Sequence, residues 1–127
     1  MRFLVDTHAL LWALGEPTAL SPQARDIIAD PTNQIFVSVA SLWECAIKAS
    51  IGKLALPDDF FDAISETGYE VLPIHIPHLT RYRSLPMHHR DPFDRILVAQ
   101  AQAQAEVLTL ITRDPEIAKY QIERLAC

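Results

Sequence analysis

The sequence of 127 residues lacks the features that mark several large classes of protein. No apolar run approaches the roughly 18 residues of a membrane span, and Asp6 interrupts the apolar start Met1–Val5 before it reaches the length of a signal sequence. There are only two cysteines, Cys45 and Cys127, without the spacing of a metal or redox motif. Internal repeats, low-complexity tracts and linkers are absent. We therefore predict a single cytoplasmic domain over residues 1–127 with no membrane segment.

The sequence also lacks the excess of positive charge that is typical of proteins that attract nucleic acids. Its formal net charge is −5, which argues against nucleic-acid binding by simple charge attraction. Two bound divalent cations would add four positive charges at one place. A phosphodiester could then approach that place although the whole chain is acidic.

Short runs rich in β-branched and aromatic residues predict four strands, and the C-terminal segment is a candidate for a fifth. The predicted strands are Arg2–Val5, Ile35–Val39, Tyr69–Ile76 and Val107–Thr112, with a short edge strand within Gln121–Leu125. Pro73 lies inside the third run, and since proline has no N–H to donate, this strand is expected at a sheet edge or to end early.

Capped and amphipathic segments between these runs predict helices. They are His8–Leu14 with Thr7 as the cap, a helix after Ser21–Pro22 that ends near Ala29, a helix from Ser41–Glu44 to about Ser50, then Asp58–Thr67, Pro77–Arg83, the long helix after Asp91–Pro92, and a last helix after Asp114–Pro115. The alternation of strands with helices predicts an α/β fold: a three-layer α/β/α sandwich with a mostly parallel central sheet of four to five strands.

The segment from His88 to Ala105 combines a strong helix start with a concentration of charge. Asp91 followed by Pro92 is typical of an N-cap and first helical position, and Asp94 then falls in the first turn. The Ala-rich, nearly uncharged remainder predicts a buried helix. Both acids can be explained as helix caps, but the same helix start could also orient Asp94 towards a site.

Three further acids occupy comparable positions. Asp6, Glu44 and Asp114 each follow a predicted strand, and in a parallel sheet the strand-to-helix turns collect along one edge. Each has a structural explanation as a cap or turn residue; Glu44, for example, completes an S-x-x-E capping box with Ser41. If the three meet Asp94, however, their charges repel unless cations neutralise them.

The donor types around these acids indicate which cation to expect. The cysteines are not clustered, and the adjacent pair His88–His89 lacks the spacing that lets two histidine rings face one zinc ion. His8 is more simply explained as a helix-start residue than as a ligand. Carboxylate oxygens without thiolates favour Mg²⁺ or Mn²⁺. Acid clusters that hold such ions commonly hydrolyse phosphodiesters.

With these motifs together, the chain resembles a family of nucleases. The matching segments are FLVDTHALLW at 3–12, SVASLWECAIKASIGKL at 38–54, LPMHHRDPFDRILVAQAQ at 85–102 and LITRD at 110–114. Their order and spacing are similar to those of PIN-domain ribonucleases, and especially of VapC-type toxins from bacterial toxin–antitoxin pairs. The final residues, IERLAC, are less apolar than the last strand usual in that family, which leaves the fifth strand open.

The resemblance implies the roles of particular residues. In that family an acidic quartet holds Mg²⁺ or Mn²⁺, and the matching residues here are Asp6, Glu44, Asp94 and Asp114. Asp91 matches a neighbouring acid, which we expect to contact the metal ligands and not the metal. Thr112 matches a hydroxyl residue that supports the last of the four acids. It also implies RNA as the substrate, a small antitoxin as the protein partner, and a homodimer.

The reaction expected from this resemblance is hydrolysis by a metal-activated water that attacks in line, with a 3′-hydroxyl as the leaving group. Four cations near the acids are candidates to contact RNA phosphates: Arg90, Arg95, Arg113 and Lys48. Each could instead form an ordinary ion pair, and Lys48 lies four residues after Glu44 on the same predicted helix.

Two other classes of function remain open. A phosphoacceptor signalling domain shares the length, the acidity and an aspartate at a strand end, but it needs a second acid beside the first, where this chain has Thr7 and His8. A haloacid-type phosphatase is disfavoured because it needs an aspartate at position 8. A binding module with the same fold and no catalytic activity is the second alternative.

Overall fold

The computed structural model describes residues 1–103 and 108–127. Its centre is a five-stranded sheet with the order β3-β2-β1-β4-β5, in which every strand pair is parallel. The strands are β1 (Arg2–Val5), β2 (Gln34–Ser38), β3 (Glu70–Leu72), β4 (Thr109–Ile111) and β5 (Arg124–Leu125). The predicted α/β fold is confirmed, and the sheet is wholly parallel. None of the described helices is long and apolar enough to cross a membrane.

Helices cover both faces of the sheet, so the molecule has three layers. Because successive side chains of a strand point to opposite faces, Phe3 and Val5 contribute to one hydrophobic core and Leu4 to the other. The helices are α1 (Thr7–Gly15), α2 (Pro22–Ala29), α3 (Val39–Ser50), α4 (Phe60–Ile64), α5 (Ile76–Ser84) and α6 (Pro92–Ala103). Helices α1, α2 and α4 pack on the first core, and α5 and α6 on the second.

Two of the predicted helix starts are confirmed by their hydrogen bonds. Ser21 Oγ accepts the N–H of Ala24 at 3.2 Å at the start of α2. Asp91 Oδ1 accepts the N–H of Phe93 at 2.8 Å at the start of α6. Residues 95–100 of α6 are all buried, as its apolar composition predicted. The predicted end of this helix near residue 105 and the start of the fourth strand at residue 107 lie outside the described residues.

Two other helix starts differ from the prediction. Helix α1 begins at Thr7 and is capped by Asp6, so Thr7 is not the cap. Helix α3 begins at Val39 and is capped by Ser38, whose Oγ accepts the N–H of Ala40 at 3.1 Å. The predicted capping box of Ser41 and Glu44 is therefore wrong, since both residues lie inside the helix.

The fourth helix and the third strand are shorter than predicted. The hydroxyl of Thr67 bonds to the carbonyl of Ile64 at 2.7 Å, and such local side-chain bonds compete with the continuation of a helix. Strand β3 stops at Leu72 because Pro73 follows it. It is an edge strand, as the proline predicted. Helix α5 then starts at Ile76, within the segment predicted as strand.

The last predicted helix is also wrong. After β4 the chain forms only a 3₁₀ turn, Ile117–Lys119, before it enters β5. Asp114 Oδ1 accepts the N–H of Glu116 at 2.8 Å, so this acid closes a local turn rather than capping an α-helix. The few residues between β4 and β5 must bring the chain back parallel to β4, which leaves little length for a helix. The fifth strand, left open by the sequence, pairs with β4.

Candidate metal centre

The candidate site lies at the carboxyl ends of β1 and β4, which are neighbours in the middle of the sheet. Connections from β1 to β2 and from β4 to β5 leave these two strands in opposite directions, which is where parallel sheets open a crevice. Asp6 follows β1 directly, and its N–H donates to the carbonyl of Ile111 at the end of β4, at 3.0 Å. Asp6 and Asp114, the first and the last of the four candidate acids, are thereby brought to the same edge.

A cleft of about 440 Å³ at this edge is lined by five carboxylates. They are Asp6, Glu44, Asp91, Asp94 and Asp114. The four acids singled out in the sequence therefore share one cleft with Asp91. Lys48 and Arg113 are the lysine and arginine that also line it, so within the described residues carboxylates outnumber these cations.

Asp6 is the most firmly fixed of the acids. It is 4% exposed, its Oδ1 accepts the N–H of Ala9 at 2.8 Å, and its Oδ2 accepts the hydroxyl of Thr112 at 2.6 Å. Burial raises the pKa of Asp6, although both hydrogen bonds oppose the increase. Thr112 Oγ1 also accepts the N–H of Asp114 at 3.1 Å. Thr112 thus contacts the first acid directly and the last acid through its backbone.

Glu44 reaches the cleft from the second turn of α3. It is 6% exposed, and each of its oxygens has a partner. The hydroxyl of Thr7 donates to Oε1 at 2.6 Å, and Lys48 Nζ donates to Oε2 at 2.8 Å. The hydrogen bond to Glu44 raises the pKa of Lys48. Lys48 consequently neutralises Glu44 in the absence of another cation.

Asp94 and Asp114 form a second group with His89. His89 Nε2 lies 2.7 Å from Asp114 Oδ2 and 3.1 Å from Asp94 Oδ2. Burial, together with the charge of Asp91, raises the pKa of Asp94 to about 7. The pKa of Asp114 is lowered: burial acts against ionisation, but the hydrogen bonds from His89 and from the backbone of Glu116 prevail. The surroundings of Asp94 therefore disfavour its negative charge, whereas those of Asp114 favour it.

The hydrogen bonds of His89 decide which of its ring nitrogens carries a proton. Nδ1 accepts the N–H of Asp91 at 3.0 Å, so in the neutral ring the proton is on Nε2. Nearby acids raise the pKa of His89 against the effect of burial, and the protonated ring also carries hydrogen on Nε2. This nitrogen therefore donates to the carboxylates. Although a ligand atom of His89 lies within 4.8 Å of one from each of Asp94 and Asp114, a metal ligand would need an unprotonated Nε2.

Of the four cations predicted to contact RNA, Arg95 is buried and Arg90 is exposed. Arg95 is 6% exposed, and its guanidinium donates to the carbonyl of Pro86 at 3.1 Å and to the hydroxyl of Tyr120 at 3.3 Å. The prediction for Arg95 is therefore wrong: this side chain is buried and holds the loop before α6. Arg90, by contrast, is exposed.

The other two cations line the cleft but have partners within the protein. Arg113 donates to the carbonyls of Ala19 (2.6 Å) and Cys127. Its guanidinium carbon also lies 4.4 Å from the centre of the Trp12 ring. Lys48 binds Glu44, as the spacing of four residues allowed. Phosphate contacts by Arg113 or Lys48 would have to add to these interactions or replace them.

Two residues of the centre were not found from the sequence. From the sequence, His89 was considered only as half of a zinc pair with His88. The spacing His89-x-Asp91 was the available signal, since it lets the His89 ring accept the N–H of Asp91 at the start of α6. Thr7 was assigned to a helix cap, whereas its hydroxyl binds Glu44. That contact joins residues 37 positions apart, which no local pattern reveals.

The carboxylates match the ligand chemistry of a hard divalent cation. A carboxylate oxygen of Asp94 lies within 4.8 Å of one of Asp114. Asp6, Glu44 and Asp91 line the same cleft. Oxygen ligands of this kind favour Mg²⁺ or Mn²⁺. Both cysteines are buried and free, and in the described structure neither lines the cleft.

Comparison with solved structures places this fold among chains of several bacterial complexes. A chain of VapBC2 from Rickettsia felis, bound to a DNA fragment from the promoter, has a TM-score of 0.74 and 13% identity, and the match covers 100% of this chain and 99% of that one. A chain of DNA-bound VapBC from Salmonella typhimurium has a TM-score of 0.69 and 15% identity, with 99% and 98% covered. A chain of a toxin–antitoxin complex from Klebsiella pneumoniae has a TM-score of 0.61 and 18% identity, with 96% and 94% covered.

Among curated protein sequences, none matches this chain. The profile of the PIN domain family matches residues 3–123, a range that contains Asp6, Glu44, Asp94 and Asp114. It covers nearly the whole chain, and the parallel sheet has the arrangement expected from the resemblance in sequence. The chain therefore belongs to the PIN domain family.

Proposed function

We propose that this protein is an endoribonuclease that hydrolyses RNA phosphodiester bonds with the help of Mg²⁺ or Mn²⁺ held by Asp6, Glu44, Asp94 and Asp114. The observation that carries this proposal is the excess of carboxylates in one cleft, together with the pKa of Asp94 raised to about 7. A buried group of like charges is costly unless a cation compensates it. Perturbed acids in a cleft are typical of functional sites.

The protein residues have distinct parts in this proposal. A divalent cation would supply positive charge to the scissile phosphate and would acidify water. Thr112 and the N–H of Ala9 hold Asp6 in one orientation, while Thr7 holds Glu44. Asp91 accepts the N–H groups of Phe93 and Asp94 in the first turn of α6. It would thus position Asp94, which holds the cation, without contacting the cation itself.

The phosphoacceptor alternative is less well supported by this geometry. Asp6 is 4% exposed, and both of its oxygens accept hydrogen bonds. A nucleophile for phosphoryl transfer needs an accessible oxygen. Membership of the PIN domain family also separates the chain from receiver domains. A binding module without catalytic activity remains the alternative. It would have the same fold and the same acids but would not cleave RNA.

The decisive experiment compares the purified wild type with Asp94→Asn, which keeps the shape of the side chain but removes its charge. Total RNA is incubated with each protein in Mg²⁺, in Mn²⁺ and in EDTA, and cleavage is followed by electrophoresis. We expect wild-type cleavage with either metal and at least a 100-fold lower rate in the variant, a loss of the order seen when a key electrostatic group is removed. Equal cleavage by the two proteins, or equal cleavage in EDTA, would contradict the proposal.

We further propose that the protein acts in the cytoplasm as the toxin of a toxin–antitoxin pair, with a small antitoxin as partner and as a homodimer. Support comes from the solved complexes of similar fold and from an apolar groove of about 260 Å³ lined by Trp43, Ile74, Leu79 and Phe93. Trp43 is 59% exposed in that groove, and exposed apolar patches of this kind are typical of protein interfaces.

Induced expression tests the toxin proposal separately from nuclease activity in vitro. Wild type should arrest growth and reduce intact RNA, whereas Asp94→Asn should do neither. Light scattering coupled to gel filtration measures the mass of the purified protein, for which we expect twice the 14.3 kDa of one chain. Growth arrest of equal strength in both strains would contradict the proposal, and a mass of one chain would contradict the homodimer.

A further inference from the structure

A second cleft lies behind the loop that leads into α6, between the end of α5 and the 3₁₀ turn after β4. It has a volume of about 470 Å³, and cationic or neutral polar side chains form much of its lining: Arg81, Ser84, His88, Gln102, Lys119 and Gln121. We call it the basic cleft. None of the described residues that line it is an acid, which contrasts with the five carboxylates of the acidic cleft at the candidate metal centre.

The cations of the basic cleft are available to a ligand. Arg81 is exposed, and within the described part of the chain its guanidinium has no ion pair and no hydrogen bond. Lys119 Nζ lies 2.9 Å from Glu116 Oε2, but the two side chains are 55% and 46% exposed. An ion pair so exposed contributes little to stability and is readily exchanged for another partner. His88 is held edge-on against Tyr120, with 5.0 Å between the ring centres.

The two clefts are separated by one loop. His88 lines the basic cleft, and the next residue, His89, reaches Asp94 and Asp114 in the acidic cleft. Tyr120, which lines the basic cleft, holds this loop in place: its hydroxyl accepts the N–H of His89 at 3.0 Å and donates to the carbonyl of Pro86 at 2.8 Å. The two clefts therefore lie on either side of two consecutive residues.

A nucleic-acid strand needs cations beside the metal centre, because every phosphate carries a charge. The fold uses several of the cations nearest to the acids for itself. Arg95 is buried, Arg113 binds backbone carbonyls and Lys48 binds Glu44. Arg90, the remaining candidate cation, is exposed. Further positive charge for a strand of several phosphates is expected from other residues, and the basic cleft adjoins the same loop as the centre.

We propose that the basic cleft binds a backbone phosphate of the RNA strand that is cleaved in the acidic cleft, with Arg81 and Lys119 as the cationic contacts. The strand passes over the loop of His88 and His89, one or a few nucleotides from the scissile bond. This assignment rests on the proposed ribonuclease function, because it names how that substrate is held. It also predicts that substrates too short to cross the loop lose this contact.

Binding of RNA to a protein that cannot cleave it provides the test. Fluorescein-labelled single-stranded RNAs of mixed sequence, 12 and 3 nucleotides long, are titrated with the Asp94→Asn protein in Mg²⁺, and anisotropy gives the dissociation constants. The double variant Arg81→Gln/Lys119→Gln is made in that background. The matched control is Arg83→Gln, which removes the same charge from the same helix at a residue that does not line the basic cleft.

We expect the double variant to bind the 12-nucleotide RNA roughly 5- to 20-fold more weakly and the 3-nucleotide RNA unchanged. Single-stranded binding has a salt slope of about 0.7 per phosphate contact, so loss of this one contact should lower the slope by about 0.7. Arg83→Gln should leave both values near those of the parent. Equal weakening by Arg83→Gln, or equal weakening for both RNA lengths, would overturn the proposal, because either would indicate a general effect of charge.

Cleavage by the wild type is measured in parallel with these RNAs and with total RNA. If the wild type cleaves RNA and the double variant binds the longer RNA unchanged, the basic cleft has no role while the ribonuclease proposal stands. If the wild type cleaves no RNA but the double variant weakens binding of the longer RNA selectively, the ribonuclease proposal fails and the RNA-binding role of the cleft is supported. Circular dichroism of each variant establishes that it is folded.

Discussion

The hydroxyl of Thr112 lies 2.6 Å from Asp6 Oδ2, and this hydrogen bond joins residues 106 positions apart across the centre of the sheet. Thr112→Val removes the hydroxyl at nearly constant volume and leaves a buried carboxylate with one donor fewer. We expect the free energy of unfolding to fall by about 1–3 kcal/mol, as measured by urea denaturation. Thr112→Ser keeps the donor and should lose less; an equal loss in Ser and Val variants would show that the methyl group, not the hydrogen bond, is responsible.

His89 should act as a hydrogen-bond donor to the acids and not as a metal ligand. Its Nδ1 is occupied by the N–H of Asp91, which places the proton on Nε2. ¹⁵N NMR of the ring is expected to show a protonated Nε2 both without metal and with saturating Mg²⁺. The appearance of an unprotonated Nε2 with a protonated Nδ1 on addition of Mg²⁺ would contradict this assignment.

A second measurement on His89 uses substitution. His89→Gln retains an N–H donor, whereas His89→Ala retains none. We expect Mn²⁺ affinity, measured by calorimetry, to be closer to the wild type in the Gln variant than in the Ala variant, because the donor helps to orient Asp114. Wild-type affinity in the Ala variant would mean that this orientation has no effect on the metal.

The stability of the metal-free protein should depend on pH through Asp94. Its pKa is about 7 in the folded protein and 3.8 in an ordinary aspartate, so between these values the folded state binds more protons than the unfolded state. The free energy of unfolding therefore falls as the pH rises through this range. Urea denaturation from pH 5 to 8 without metal measures the slope, to which the raised pKa of His89 adds in the same direction.

The control for this pH dependence is Asp94→Asn, which cannot ionise and should flatten the slope. Mg²⁺ should stabilise the wild type most above pH 7, because protons and the cation compete for the carboxylates. Stability that rises with pH over the same range in the metal-free wild type would show that Asp94 is not the dominant group.

Substitution of the buried Arg95 should lower the stability of the fold, whereas substitution of the exposed Arg90 should weaken the interaction with RNA. Arg95→Met removes buried hydrogen bonds to the carbonyl of Pro86 and the hydroxyl of Tyr120, and we expect a loss of about 2–4 kcal/mol in the free energy of unfolding. Arg90→Gln is at an exposed position and should change stability by less than about 0.5 kcal/mol, while raising the KM for RNA. Urea denaturation and steady-state kinetics measure the two effects; a stable Arg95→Met protein would contradict the buried role.

The architecture and the meeting of the four acids could be predicted because they depend on local signals. Ser21–Pro22 and Asp91–Pro92 are strong helix-start signals, because few other local structures suit a capping residue followed by proline. The alternation of buried strands with helices makes a parallel sheet the simplest fold. Once the sheet is parallel, acids that follow its strands collect at one edge. Asp6 and Asp114 could therefore be placed together from their positions in the sequence alone.

The capping role predicted for Glu44 and the RNA contact predicted for Arg95 were wrong, and the role of His89 was not predicted, because the positions of these side chains depend on contacts with residues distant in the sequence. Glu44 fits a capping box in sequence, but β2 ends early enough for Ser38 to cap the helix, so Glu44 turns into the cleft. Arg95 follows an acid of the site, but its side chain is buried and donates to the carbonyl of Pro86 and the hydroxyl of Tyr120. His89 owes its position to Tyr120, 31 residues further along the chain. Contacts of this range have no counterpart in a short sequence pattern.

The hydrogen bond between Asp6 and Thr112 also has a consequence for synthesis of the chain on the ribosome. Thr112 and Asp114 are synthesised more than a hundred residues after Asp6, and only then can β4 pair with β1. A nascent chain that lacks β4 has neither the last acid nor the donor that orients the first. The acidic cleft therefore cannot assemble before β4 has been synthesised and paired with β1, and a shorter nascent chain has no complete set of the four carboxylates.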